Sequence, residues 1–358
     1  MTAQRFLQRV LLAALLCALL VSAALAADPA SDASEHPVDT VASALKKLDD
    51  AVAAGKASFF LYPQDGESST RDELIENIKA HVWKTWVDVS PRILATYDMD
   101  SDGVSTLKIT LRYAKKTGDY DKALDEAVSA CIRDGMTDLE KTASIYSWLA
   151  DTIVHTEKCD TAYEALVDKR ADCFGFAAAF RAIAREAGLE GTLVRGKYSS
   201  SEHAWNAVKI GKSDDGTGGV WYYVDASRVD GRWIPGRVDY QYLLFGTSKS
   251  GYSADVTNIS AAEYPLDFSR SGVCTPLALR NDGFWFIQGN LLKSAPYGAD
   301  FKDAGAKILG HISAAPYNVL WAAVMEGDVI YYSMNIPGDT ALYSYTPGMP
   351  EAEARETG

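Results

Sequence analysis

DCFGFAAAFRAIAREAGL, residues 172–189, is built almost wholly of Ala, Phe, Ile and Arg and closes at Gly188, as a buried helix does. Asp172 stands where an N-cap belongs, so Cys173 falls in the first turn. The free N–H groups and the dipole of a helix N-terminus favour an anion. A cysteine at that point is either a small apolar filler or a nucleophile held as its thiolate. The rest of the chain decides between the two.

The flanks set the fold class. Upstream, DYDKALDEAVSACIRDG (119–135) is amphipathic and stops at Gly135. In TDLEKTASIYSWLADTIVHT (137–156), Thr137 and Glu140 form a capping box, and Leu139, Ala143, Tyr146, Leu149, Ala150 and Ile153 share one face. Downstream, GTLVRGKYS (191–199), HAWNAVKIG (203–211) and VWYYVDASRV (220–229) read as strands, the last two joined through KSDDGTGG (212–219) as a hairpin tip. Helices followed by an antiparallel sheet predict an α+β fold.

A cysteine nucleophile needs a base, and the base needs an orienting partner. Of the five histidines, His36 sits in a polar stretch, His81 and His155 precede the cysteine in helical segments, and His311 lies far downstream. His203 alone opens a strand soon after the Cys173 helix. Trp205 shares its face by the period of two and can wall off water beside the pair. In the next strand Trp221, Tyr223 and Asp225 share a face. An Asp ending an aromatic run is unusual for packing, and there it can accept from the imidazole Nδ1–H. Trp205, Trp221 and Tyr223 are candidate substrate-binding residues as well as core residues. Asn206 reads as a structural polar group of its strand, and Cys131, Cys159 and Cys274 as structural cysteines.

The stretches TAYEALVDKRADCFGFAAAFRAIAREAGL, EHAWNAVKI and GVWYYVDASRVDG, in that order, resemble the transglutaminase-like superfamily of papain-fold enzymes in its bacterial secreted form. EKTASIYSWLADTIVH and YQYLLFG resemble that family's flanks, so the likeness covers roughly residues 135–247. It implies a papain-like core in which a helix bears Cys173 and a packed antiparallel sheet bears His203 and Asp225. It also implies thiol-dependent acyl transfer at protein or peptide amides through a thioester, with no cofactor or metal. Water as acceptor gives a peptidase or deamidase; an amine gives a transamidase. The Cys173 amide is the expected first oxyanion donor. Two departures stand out. Asp172 puts a negative charge beside the thiol, and DASR (225–228) replaces the family's common Asp-x-Thr-Trp.

The chain has 358 residues, 47% hydrophobic and 23% charged, a composition that folds. Residues 1–26 read as a signal peptide: Arg5 and Arg9, an uncharged run from Val10, and an Ala-Leu-Ala end before Ala27. An uncleaved anchor is the alternative. Cleavage takes the formal charge from −13 to −15, since it removes two arginines and no acid. An acidic, secreted or extracytoplasmic protein with no dense basic run is unsuited to nucleic acid and has no means of stable membrane insertion once the leader is gone. The resemblance makes its partners protein or peptide substrates, cell-surface or cell-wall peptides among them. Without a CxxC pair the cysteines indicate neither zinc nor redox chemistry. A Cys131–Cys159 bridge across one helix is the expected disulfide.

Residues 27–40 read as a disordered linker and 41–134 as a helix and hairpin region. That region holds helices over 41–50 and 72–86, the latter with Leu74, Ile75, Ile78, Val82 and Trp86 at helical spacing. DMDSDG (98–103) imitates a calcium loop, but Ile109 stands where the bidentate Glu is required, so it reads as a hairpin tip. The catalytic domain spans 135–250. Residues 274–358 form a small all-β repeat module: two aromatic units end at Gly298 and Gly348, 50 residues apart, a period suggestive of propeller blades. A rival function follows from that module, a non-catalytic extracellular binding protein that keeps the fold and presents an aromatic surface.

Overall fold

In a computed structural model, the structure describes residues 38–63, 68–101, 104–212, 218–228, 242–255, 259–262, 273–288, 291–300, 307–311, 320–326, 328–334, 342–349 and 353–355. The signal-peptide reading of 1–26 and the linker reading up to residue 37 lie outside them, as do the side chain of Cys274 and the tip of KSDDGTGG. The last linker residues are ordered: Asp39 accepts from Tyr62 N and Lys47 Nζ, and Thr40 forms a capping box with Ser43.

The N-terminal region is a small α/β unit. Helices α1 (Val41–Ala53) and α2 (Ser68–Thr85) pack on a three-stranded antiparallel sheet ordered β1 (Ser58–Leu61), β3 (Ser105–Thr110), β2 (Leu94–Met99). Leu48, Leu74, Ile78, Val82 and Ile109 fill its core. β2 and β3 pair as a hairpin; of the Asp-rich segment, Asp98 lies in β2, Asp100 Oδ1 accepts from Val104 N, and residues 102–103 lie outside the described residues.

The central unit follows the predicted order. Helix α3 (Tyr120–Cys131) is capped by Asp119 and stops short of Gly135. Ile132 is already extended, and Arg133 turns back to donate to the Ser129 and Ile132 carbonyls. Helix α4 (Asp138–Thr152) opens with the Thr137/Glu140 box. A short helix α5 (Ala162–Leu166) and a parallel pair β4 (Val154–His155) and β5 (Arg170–Ala171) lead into α6 (Cys173–Glu186). Gly188 follows with φ +77, the left-handed conformation that ends a helix. α6 packs on an antiparallel sheet ordered β8 (Gly218–Val224), β7 (Ser201–Lys212), β6 (Gly191–Tyr198), β9 (Tyr252–Ala254). Phe176, Phe180 and Ile183 of the helix meet Val208 and Val224 of the sheet in the main core. Asn206 Nδ2 donates to Ala177 O at 2.9 Å, tying strand to helix.

Residues 273–355 hold two four-stranded antiparallel meanders: β10 (Val273–Leu279) to β13 (Lys307–His311) through β11 (Gly283–Gln288) and β12 (Leu291–Pro296), and β14 (Leu320–Glu326) to β17 (Glu353–Arg355) through β15 (Val329–Met334) and β16 (Leu342–Tyr345). Phe284, Phe286 and Ala295 join the main core. Among the described residues no helix is long and apolar enough to cross a membrane.

The expected Cys131–Cys159 bridge is not formed; both are free thiols. Cys131 is buried on the inner face of α3 and donates to Ala127 O. Cys159 sits in the turn before α5, where its carbonyl accepts from Asp172 N.

Candidate active site

The sequence folds so that three distant residues meet. Asp172 caps α6, its Oδ1 accepting from Phe174 N at 3.0 Å and Gly175 N at 3.3 Å. Those bonds use two of the orphan amides of the first turn. The Cys173 amide has no hydrogen-bond partner among the described residues. Gly175 is required sterically: a Cβ there would lie 2.5 Å from Cys159 O and 2.9 Å from the Ala171 side chain. The Cys-x-Gly spacing thus lets the helix start press against the preceding turn, with Cys173 at 9% exposure.

His203 enters from β7 and Asp225 from the end of β8. His203 Nε2 and Asp225 Oδ2 are 2.6 Å apart. This corrects the expected use of Nδ1 for the acid: Nε2 meets Asp225, and Nδ1 is the ring nitrogen left over for the thiol. Burial opposes the imidazolium, yet hydrogen bonds to Asp225 and Cys173 and their negative charge push His203 up to about 10. Asp225 is 1% exposed. Burial alone would raise its carboxyl, but His203, Ser227 and Tyr252 hold it below the usual carboxylate range. Its oxygens are fully used: Oδ2 accepts from His203 and from Tyr252 Oη at 2.6 Å, Oδ1 from Ser227 N at 3.1 Å and Ser227 Oγ at 2.6 Å.

Sequence reasoning missed Tyr252 and Ser227. Ser227 was legible in principle, because Asp-x-Ser is an Asx-turn in which the carboxylate caps the backbone two residues on. It also explains the DASR departure, since a serine supplies the hydroxyl there. Tyr252 carries no local signal; β9 brings it to the acid through pairing with β6. A third omission is Arg92, from the N-terminal unit. Its Nη1 bonds Asp172 Oδ2, and its guanidinium lies 4.6 Å over the Phe174 ring. The charge of Asp172 beside the thiol is therefore matched by a cation.

The aromatic candidates stand behind the imidazole. Trp205 stacks with His203 at 6.0 Å between centroids and meets Tyr223 edge-on at 5.7 Å. Both are almost fully buried, so they wall off water and fix the ring rather than present a surface. Trp221 is half-buried at the edge of the same cluster. On the cysteine side, Trp83 of α2 and Leu193 of β6 pack in the cluster that holds Cys173 and Ala204. The other described histidines are placed elsewhere, His81 on Asp49, His155 against Phe176 and His311 at the end of β13. No group of three potential metal ligands occurs among the described residues.

The model of the transglutaminase-like superfamily matches residues 125–226. The kyphoscoliosis peptidase of Homo sapiens is 27% identical over 170 residues, covering 40% of this chain and 24% of the relative. The chain thus spans about a quarter of the length of that curated relative. Among solved structures, a TGase aligns over 48% of this chain and 50% of its own at 12% identity, TM-score 0.27. A candidate cysteine protease from Cytophaga hutchinsonii aligns over 44% and 66% at 14% identity, TM-score 0.27. The arylamine N-acetyltransferase of Salmonella typhimurium covers 68% and 87% at 12% identity, TM-score 0.24. The segment in which Cys173, His203 and Asp225 converge is thus the one that matches the transglutaminase-like superfamily, and it holds the α+β core of cysteine helix and antiparallel sheet.

Proposed function

We propose that the protein is an exported thiol acyl-transfer enzyme acting on protein or peptide amides. The observation that carries this reading is the buried His203–Asp225 pair, with its acid saturated by hydrogen bonds and its free imidazole nitrogen left to Cys173. In the first step His203 Nδ1 already holds the proton from Cys173, and the thiolate attacks the substrate carbonyl carbon. The tetrahedral oxyanion accepts from the Cys173 amide. His203 then gives its proton to the leaving amine, the C–N bond breaks, and a thioester remains. Water or a second amine attacks the thioester with His203 again as base, and the thiol returns. Asp225 holds the ring orientation and offsets the imidazolium charge throughout. Export rests on the leader-like residues 1–26, and a mature N-terminus at Ala27 by mass spectrometry checks it.

The test of the enzyme reading is amide turnover by wild type, Cys173→Ala and His203→Ala, measured on peptide substrates by release of amine or ammonia. Both variants lose turnover by a factor on the order of 10³ or more. Equal turnover in Cys173→Ala would sink the proposal. A binding protein that merely keeps the fold would retain its partner in that variant and show no thiol-dependent product in wild type.

A further inference from the structure

β6 is covered unequally. β7 pairs with it from Gly191 to Tyr198, whereas β9 pairs with its other side only at Gly196–Tyr198. Over Gly191–Arg195 the outer edge faces a cavity of about 830 Å³, bounded by Trp83 and Lys84 of α2 and by Arg181 of α6. The direction of the backbone groups follows from two bonds. Glu190 O accepts from Lys209 N on the β7 side, and Arg195 O accepts from Asp255 N on the opposite side. Alternation then points Gly191 and Leu193 outward with Arg195. Among the described residues nothing hydrogen-bonds to the outward backbone groups of Gly191 or Leu193. Two N–H and two C=O groups therefore open into the cavity, an arrangement that proteins otherwise cover or blunt.

The groove shares part of its wall with the surroundings of Cys173. Arg195 lies opposite Ala204, and the next pair is Gly196 with His203. Leu193 and Trp83, which line the groove, also pack in the cluster of Cys173. Its far end is cationic. Arg181 Nη1 is anchored on Lys84 O at 3.0 Å, and no carboxylate pairs with Arg181 or Lys84 among the described residues. Two acids line the groove: Glu76 is already engaged by Lys79 and Arg195, and Asp255 stands at the opposite, Arg195 end, where its N–H donates to Arg195 O.

We infer that this edge is where the substrate docks: an extended peptide adds as a strand at Gly191 and Leu193, sets an acidic side chain over Lys84 and Arg181, and leaves the edge at Arg195, where β9 begins, turning on the Leu193 and Trp83 side toward Cys173. Main-chain bonds supply affinity and the alternate side chains supply selectivity. The inference rests on Cys173 as the nucleophile for the direction of the chain; the docking itself is measured without it.

The experiment uses the full chain carrying Cys173→Ala, titrated by fluorescence anisotropy with fluorescein-labelled decapeptides that alternate Glu with varied residues. The tightest binder is remade with alternate backbone amides N-methylated, in each of the two phases. One phase weakens binding at least about tenfold and the other leaves it nearly unchanged, because only one set of amides faces β6. Lys84→Glu weakens the same peptide by a similar factor. Gly191→Pro, which removes an outward N–H, also weakens it. Gly191→Ala does not, since its Cβ would meet only ordinary contacts at 3.5 Å. Equal loss in both phases, no loss in either, or no binding by any peptide up to about 1 mM overturns the inference. If one phase binds yet the wild-type enzyme turns over none of the peptides, the groove stands and the nucleophile reading fails. If Cys173-dependent turnover persists in Gly191→Pro with unchanged KM, the groove fails and the nucleophile reading stands.

Discussion

At the residue scale, the hydrogen bonds around Asp225 fix what His203 can do. The imidazole ordinarily titrates at 6.5 and here is pushed up to about 10. A raised value means that the folded state holds its proton more tightly than the unfolded chain. The stability this contributes is complete below about pH 6.5 and is lost as pH rises toward 10. His203→Ala should therefore melt lower than wild type near pH 6, with the gap narrowing between pH 7 and 10. At roughly 2–4 °C per kcal/mol, thermal melts across that range resolve it. A gap that stays constant with pH would show that the imidazolium is not what the fold stabilises. Arg92 makes a separate prediction. With the guanidinium gone, Asp172 keeps its negative charge beside the thiol. Arg92→Ala should slow iodoacetamide alkylation of Cys173 at pH 7 about three- to tenfold, the effect of one nearby charge at intermediate dielectric, and Arg92→Lys should restore part of it. An unchanged rate in both would remove Arg92 from the site.

At the element scale, α6 is a helix by composition, but its position depends on one atom that is absent. Gly175 has no Cβ to collide with the Cys159 carbonyl, and that carbonyl in turn holds Asp172 N at 2.7 Å. Gly175→Ala forces the turn and the helix start apart. The expected cost is about 1–3 kcal/mol in denaturant unfolding. Cys173 alkylation should slow as well, since the thiol moves with the helix away from His203. A stability loss without any change in alkylation would mean that the helix start does not shift.

Over the whole molecule, Glu140 joins the central unit to the first C-terminal meander. It is fully buried on α4, where it closes the box with Thr137 N and also accepts from Gly298 N and Asp300 N. One carboxylate thus caps a helix and holds a β-turn over 150 residues away. Glu140→Ala leaves those N–H groups without their acceptor and should destabilise by about 2–4 kcal/mol. Limited proteolysis checks the cause: the expected first cuts fall between residues 262 and 300, where the meander peels off. Cuts confined to the N-terminal unit would assign Glu140 to the helix alone.

The sequence by itself determined the helix that carries Cys173, its Asp172 cap, the capping box on α4, the strands with His203 and Asp225, and the order in which they come. These follow from local periodicity and capping, which act over a few residues and leave their mark in adjacent letters. The end of α3 was misjudged because Arg133 folds back on its last turn, an interaction that amphipathic spacing does not register. Only the tertiary structure decided which imidazole nitrogen meets Asp225, which hydroxyls saturate the acid, that Arg92 answers Asp172, that Cys131 and Cys159 stay apart, and that β6 keeps an open edge. Each of these depends on strand register or on the packing of segments far apart in the chain, and that geometry is set by the whole core rather than by any one stretch.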